Sequence, residues 1–176
     1  TDLVNKGFTP LAFRYLVFQT HYRSEMNFTW EALEASQTAL EKLYEVASGY
    51  DQIHKVSNID YDRRFLEALN QDLNMPKALS IMWEMLRSKI SEDIKAATLK
   101  EMDKVLGLAI FEHAKMRTKV PESVLILAQE RDLFRGNKQY TRADHLRHKI
   151  EKMGYIIKDT IDEETNRKTS VVLRKI

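Results

Sequence analysis

The chain has 176 residues, 43% hydrophobic and 31% charged, with 5 glycines, 3 prolines and no cysteine. That much apolar material excludes a disordered polyampholyte, and so few glycines and prolines exclude a turn-rich all-β fold; with no cysteine, a disulfide scaffold, a thiolate zinc site and a cysteine nucleophile are excluded within the chain. Residues 1–112 hold 13 Lys/Arg against 17 Asp/Glu (net −4) and residues 113–176 hold 15 against 9 (net +6), an asymmetry that points the second part towards nucleic acid.

Thr9-Pro10 opens the first predicted helix, since threonine caps well and a proline at the first helical position has no amide hydrogen to lose. Leu11, Tyr15 and Phe18 follow at helical spacing. Phe13, Leu16 and Val17 widen the apolar face, which predicts a helix buried on most sides, ending near His21. Thr29 opens the second, with Phe28 and Leu33 as a hydrophobic staple and Gly49 as a left-handed stop. Its inward stripe is Leu33, Leu40, Leu43, Tyr44 and Ala47. Residues 50–60 read as a polar loop. A third helix runs from Tyr61 to about Asp72 with Phe65, Leu66 and Leu69 inward, and Pro76 starts a fourth through Leu79, Met82, Trp83 and Leu86. Ser91 caps a fifth, with Ile94, Leu99, Met102, Val105 and Leu106 inward and Gly107 as its stop. Five amphipathic helices on short links make an antiparallel bundle.

Residues 108–120 turn basic through Lys115, Arg117 and Lys119, and the domain boundary is placed here, separating 1–112 from 113–176. Pro121 opens a sixth helix through Val124, Leu127, Leu133 and Phe134, broken by Gly136-Asn137. A seventh carries Ala143, Leu146, Ile150 and Met153 and stops at Gly154. Residues 155–158 and 170–174 read as two short strands around a polar segment, 159–169. The predicted fold class is therefore mainly α: an antiparallel helical bundle followed by a small α+β domain of the order helix-helix-strand-strand.

No phosphate-cradling glycine loop and no G-x-S-x-G elbow occurs. His145 and His148 share a helix face, but no third ligand stands at a recognised spacing, so they read as solvated side chains and no metal is expected. Asp51, Asp60, Asp62 and Asp72 read as loop or cap residues, and nothing assembles a catalytic site. The segment 130–152 is more informative. Arg131, Arg135, Lys138, Arg142, Arg147, Lys149 and Lys152 are interleaved with Phe134 and Tyr140. Cations neutralise phosphates and a ring stacks on an unpaired base. Asp144 and Asp159 oppose phosphate binding, but carboxylates accept hydrogen bonds from base amino and imino groups. Lys138, Arg142 and Arg147 are the candidate phosphate contacts. No apolar run of 18 residues is present and no secretory leader is expected at the N-terminus, so a cytoplasmic protein with no membrane partner is expected.

Three stretches together resemble one family, the cysteinyl-tRNA synthetases. They are LVFQTHYRSEMNF (16–28), ALNQDLNMPKAL (68–79), and the segment 120–159 that ends in KQYTRADHLRHKIEKMGYIIKD. The resemblance covers nearly the whole chain in order. It implies that residues 1 to about 110 form the helical bundle that follows the catalytic domain, and that the C-terminal domain binds the anticodon. Arg135, Tyr140, Asp144 and Asp159 stand at the positions that face the anticodon loop: an aromatic ring that packs on a base, carboxylates that read base edges, and an arginine on a base or its phosphate. The implied partner is tRNA-Cys with a GCA anticodon, not DNA, and the implied state is a monomer. The implied parent reaction is ATP-dependent ligation of cysteine to tRNA, with magnesium and a zinc ion in the catalytic domain. The family's H-x-G-H and K-M-S-K-S signatures are absent here, as are its zinc ligands. The chain is therefore expected to be an inactive C-terminal fragment that starts after the K-M-S-K-S loop. Met75 stands where the family has a capping threonine before proline, an expected loss of about 1 kcal/mol. Residues 165–173 lack the tryptophan often found near the family's end. Two other readings are a protein-interaction bundle, which steep salt dependence of RNA binding would separate, and part of a synthetase-derived cysteine:amino-sugar ligase, against which the intact KQYTRAD and KD positions argue.

Overall fold

The computed structural model describes residues 2–50, 56–161 and 168–174. Residues 51–55 of the expected loop and 162–167 of the expected polar segment lie outside the described residues. The order is α1 (Asp2–Asn5), α2 (Pro10–Phe18), α3 (Trp30–Ser48), α4 (Ile59–Asn70), α5 (Met75–Arg87), α6 (Glu92–Leu106), α7 (Ile110–Thr118), α8 (Glu122–Gly136), α9 (Tyr140–Lys152), β1 (Tyr155–Ile161) and β2 (Lys168–Arg174). The fold is thus mainly helical with one small sheet. The chain divides into two compact units, Thr1–Ala114 and Lys115–Ile176.

In the first unit α2 packs on α3, α4 on α5, and α6 on both α4 and α5. The caps are local and chemical. Thr9 and Thr29 accept hydrogen bonds from the amides of Ala12 and Ala32, which satisfies donors that no helical carbonyl reaches. Leu40, Leu43, Met82, Met85, Leu99 and Met102 are fully buried between the helices. Two polar ties cross this core: the Trp83 indole donates to the Tyr15 hydroxyl at 2.8 Å, and the Tyr44 hydroxyl donates to the Leu108 carbonyl at 3.0 Å.

Several elements depart from the sequence expectation. Helix α2 is not buried on most sides: Phe13 and Val17 are exposed while Ala12, Tyr15 and Leu16 face inward. Gly49 closes α3 in right-handed geometry, at φ −81°. Leu66 faces solvent and Ala68 takes the inward place beside Phe65. Ser91 makes no side-chain cap bond. The basic stretch 108–120 contains α7, which the sequence did not announce. Its start is held by Asp103, whose carboxylate accepts the amides of Leu108 and Ile110 at 2.8 and 2.7 Å. Gly107 makes that turn in left-handed geometry, at φ 59°, where a side chain would be strained.

The expected loss of the α5 cap does not occur. Asn74 is the N-cap, and its side chain accepts the Lys77 amide at 3.1 Å. Met75 and Pro76 are the first helical residues, so the residue before proline is not the capping position. We predict that Asn74→Ala costs about 1 kcal/mol. Met75→Thr should change stability by less than about 0.5 kcal/mol. Urea unfolding of the two variants checks both.

In the second unit α8 packs on α9 and both helices pack on the hairpin. β1 and β2 are antiparallel, with Ile157 opposite Val172 and Asp159 opposite Ser170. Val124, Ala128, Ile150, Ile157 and Val172 form the core, lined by Val120, Leu127 and Tyr155. Leu133, expected in the stripe of α8, is 67% exposed.

Candidate nucleic-acid interface

The α8–α9 turn and the hairpin enclose a hollow of about 200 Å³ lined by Asp132, Arg135, Gly136, Tyr140, Asp159 and Thr169. Three of the four expected base-facing residues, Arg135, Tyr140 and Asp159, therefore meet at one place. Each arrives from a different element. Arg135 is in the last turn of α8, which runs on through Gly136 and turns at Lys138, held in left-handed geometry at φ 59°. Tyr140 is the first residue of α9 and is 59% exposed, with its ring free to meet a flat partner. Asp159 projects from the helix-facing side of β1, two residues beyond the buried Ile157.

The floor of the hollow is a charged network. Arg131, 3% exposed, donates through Nη1 to Asp159 Oδ1 at 2.9 Å, to Ser170 Oγ at 2.8 Å and to Asp132 Oδ1 at 3.2 Å. Ser170 Oγ in turn donates to Asp132 Oδ1 at 2.5 Å. Arg135 pairs through its own Nη1 with the same Asp159 oxygen. Burial pushes the Asp159 carboxyl up, but hydrogen bonds from Arg131 and Arg135, with their positive charge, outweigh it and hold the group below its ordinary value. The same pairing raises the Arg135 guanidinium further. The arrangement presents acceptors beside a cation and a ring, which can hydrogen-bond a planar, donor-bearing group while stacking on its face.

The remaining expected residues lie outside the hollow. Asp144 is exposed one turn along α9 from Tyr140, on the same side of the helix. Lys138 is exposed at the turn. Arg142 stacks over Phe134, 5.6 Å from the ring centre, and donates to Gln139 at 3.3 Å. Arg147 is paired with Glu151 at 3.1 Å, which neutralises part of its charge. The sequence missed Asp132, Thr169 and Ser170, and it grouped Arg131 with the surface cations. One signal was there: Val124, Ala128 and Arg131 stand at spacings of four and three, so Arg131 shares the buried stripe of α8. Among the described residues no group of three or more His, Asp or Glu could hold a metal ion. No helix among them is long and apolar enough to cross a membrane.

The first unit holds a second cluster, where two of the resembling stretches meet. The Tyr22 hydroxyl donates to Asp72 Oδ1 at 2.7 Å, and Arg23 pairs with the same oxygen at 3.0 Å. Asp72 and Leu73 are both left-handed, at φ 58° and 52°. An apolar hollow of about 450 Å³ lies beside them, lined among others by Val17, Phe18, Met26 and Met75.

Comparison with known proteins accords with a synthetase class. No family model matches the chain. Among curated relatives, cysteine–tRNA ligase 1 of Burkholderia lata is 39% identical over 158 residues, which is 90% of this chain and 33% of that protein. The cysteine–tRNA ligase of Protochlamydia amoebophila is 30% identical, over 90% of this chain and 37% of its own length. That of Thermotoga maritima is 32% identical, over 84% and 36%. Over the stretch it shares with them, the chain belongs to the cysteine–tRNA ligase family. It spans about a third of the length of these relatives.

The Asp159 pairing has a pH consequence with a definite sign. Its folded pKa is depressed, so the pairing contributes fully above the unfolded carboxyl value of about 3.9 and is lost as pH falls through the lower folded value. The side chain is 46% exposed, so solvent screening weakens the effect. Asp159→Asn is expected to flatten the acid limb of hairpin stability, read as amide-exchange protection in β1 and β2 between pH 5 and pH 2.

Proposed function

We propose that this chain is the tRNA-binding part of a ligase that joins cysteine to tRNA-Cys with ATP, and that residues 113–176 are its anticodon-binding domain. The observation that carries the reading is the meeting of Arg135, Tyr140 and Asp159 around one hollow on a segment of net charge +6. A ring for stacking, a carboxylate for base donors and a guanidinium for a phosphate or base acceptor are the parts that single-stranded RNA recognition uses. Lys138, on the turn beside the hollow, and Arg142, in the first turn of α9, would track the backbone. Arg147, already paired, contributes less. Asp144, a turn away from Tyr140, would read a neighbouring base. Residues 1–112 would be the helical bundle that supports the rest of the tRNA.

Ligation itself is assigned to no residue here. The H-x-G-H and K-M-S-K-S signatures and any cysteine are absent from the sequence, and among the described residues no side-chain cluster fits the zinc site that the resemblance attaches to the catalytic part.

The test is fluorescence anisotropy with two RNA hairpins, one carrying a GCA anticodon loop and one with that triplet scrambled, at two salt concentrations. Tighter, salt-sensitive binding to GCA is expected. Equal binding to both hairpins overturns base reading. No binding at low salt favours a protein-interaction module. Tyr140→Ala should cost roughly 1–3 kcal/mol if the ring stacks a base. Asp144→Ala should reduce discrimination between the hairpins more than it reduces binding to the scrambled one.

A further inference from the structure

Two guanidiniums share the Asp159 carboxylate, and they are not equivalent. The Arg131 side chain is 4% exposed and pinned by Asp132 and Ser170 as well. The Arg135 side chain is 34% exposed and stands at the rim of the hollow. If Arg135 were the only partner, its departure would strand a partly desolvated carboxylate, which is costly. With Arg131 in place, Asp159 keeps a cation whichever way Arg135 turns. Hairpin register supports the same division: Asp159 and Ser170 face each other across the sheet, so one buried guanidinium fixes both strands and the carboxylate at once.

We propose that Arg131 is a positioning residue, the standing counter-ion of Asp159, and that this frees Arg135 to leave the carboxylate and contact RNA. The proposal rests on the RNA-binding reading for its functional half only. Arg131 touches no solvent-facing ligand position. It acts by holding Asp159 oriented and ionised, so that when Arg135 leaves, the carboxylate keeps its bond to Arg131 and the acceptor position that Arg135 vacates is left for a base amino or imino group.

The charged and titratable groups facing Asp159 are Arg131, Asp132 and Arg135 of α8, with Tyr140 of α9 across the hollow and the hydroxyls of Thr169 and Ser170 on β2. Two measurements on the full chain separate their roles. The first is the carboxyl titration of Asp159, followed by carbon NMR in the parent chain and in Arg131→Met, Arg131→Lys and Arg135→Met. Arg135→Met should leave the Asp159 titration below that of an exposed aspartate. Arg131→Met should raise it into or above that range, and Arg131→Lys should restore most of the difference. The second is a double-mutant cycle on binding of the GCA hairpin. Arg131→Met should weaken binding roughly tenfold when Arg135 is present and by much less when Arg135 is already Met. A merely structural role would cost the same in both backgrounds.

An unmoved Asp159 titration in Arg131→Met, or equal costs with and without Arg135, overturns the proposal. Should Arg131→Met fail to fold by circular dichroism, Arg131→Gln, which keeps a hydrogen-bond donor but not the charge, decides. A titration moved part-way up, with weaker RNA binding that depends on Arg135, supports the assignment; no change in either overturns it. If the parent chain binds no RNA at all, the RNA-binding reading falls, while the titration still decides whether Arg131 is the standing counter-ion.

Discussion

Arg131 is the side chain on which the second unit turns. A guanidinium is expensive to bury and is tolerated only when acceptors surround it. Here the acceptors come from its own helix and from both strands: Asp132, Asp159 and Ser170. Their convergence requires that Asp159 and Ser170 lie opposite each other. A slip of one residue in the hairpin would turn one of them to the other face and leave the charge unmatched. The apolar contacts of Ile157 and Val172 specify the same register. Packing and charge thus agree on one arrangement, and the hollow used for recognition is the outer surface of that agreement.

The first unit is organised by carboxylate and amide side chains that tie loops to helix ends. Asp103 fixes the turn into α7, Asn74 caps α5, and Asp72 gathers Tyr22 and Arg23. The last of these binds the HYRS and QDLNMP stretches to each other, although 50 residues separate Tyr22 from Asp72. The two left-handed residues at 72 and 73 are the local cost of bringing that carboxylate round.

Much of the fold was legible because its signals are local. The Thr9-Pro10 and Thr29 starts and the Gly107 stop depend on residues a few positions apart, and the structure shows each of them. The inward stripes were less secure, since Leu66 and Leu133 are apolar without facing a core, and apolar identity says nothing of which side of a helix is covered. Helix α7 carries no such local signal: its inward face has few large apolar side chains and its start is held by Asp103, outside the helix. At the site, Arg135, Tyr140 and Asp159 were recognisable by type and pattern. The charge of Arg131 reads as surface, whereas its spacing from Val124 and Ala128 puts it inside. Asp132 and Ser170 could not be found without the register, which is a property of the pairing and not of either strand.

Both tryptophans of the chain, Trp30 and Trp83, lie in the first unit, Trp83 with its indole bound to the Tyr15 hydroxyl and Trp30 with its ring beneath the Lys6 ammonium. The second unit has tyrosines but no indole. Indole emission excited at the red edge, where tyrosine does not absorb, is therefore a private signal of residues 1–114. A melting curve recorded that way is blind to the hairpin and its charged floor, whereas circular dichroism sees both units. A gap between the two curves measures how independently the two units melt.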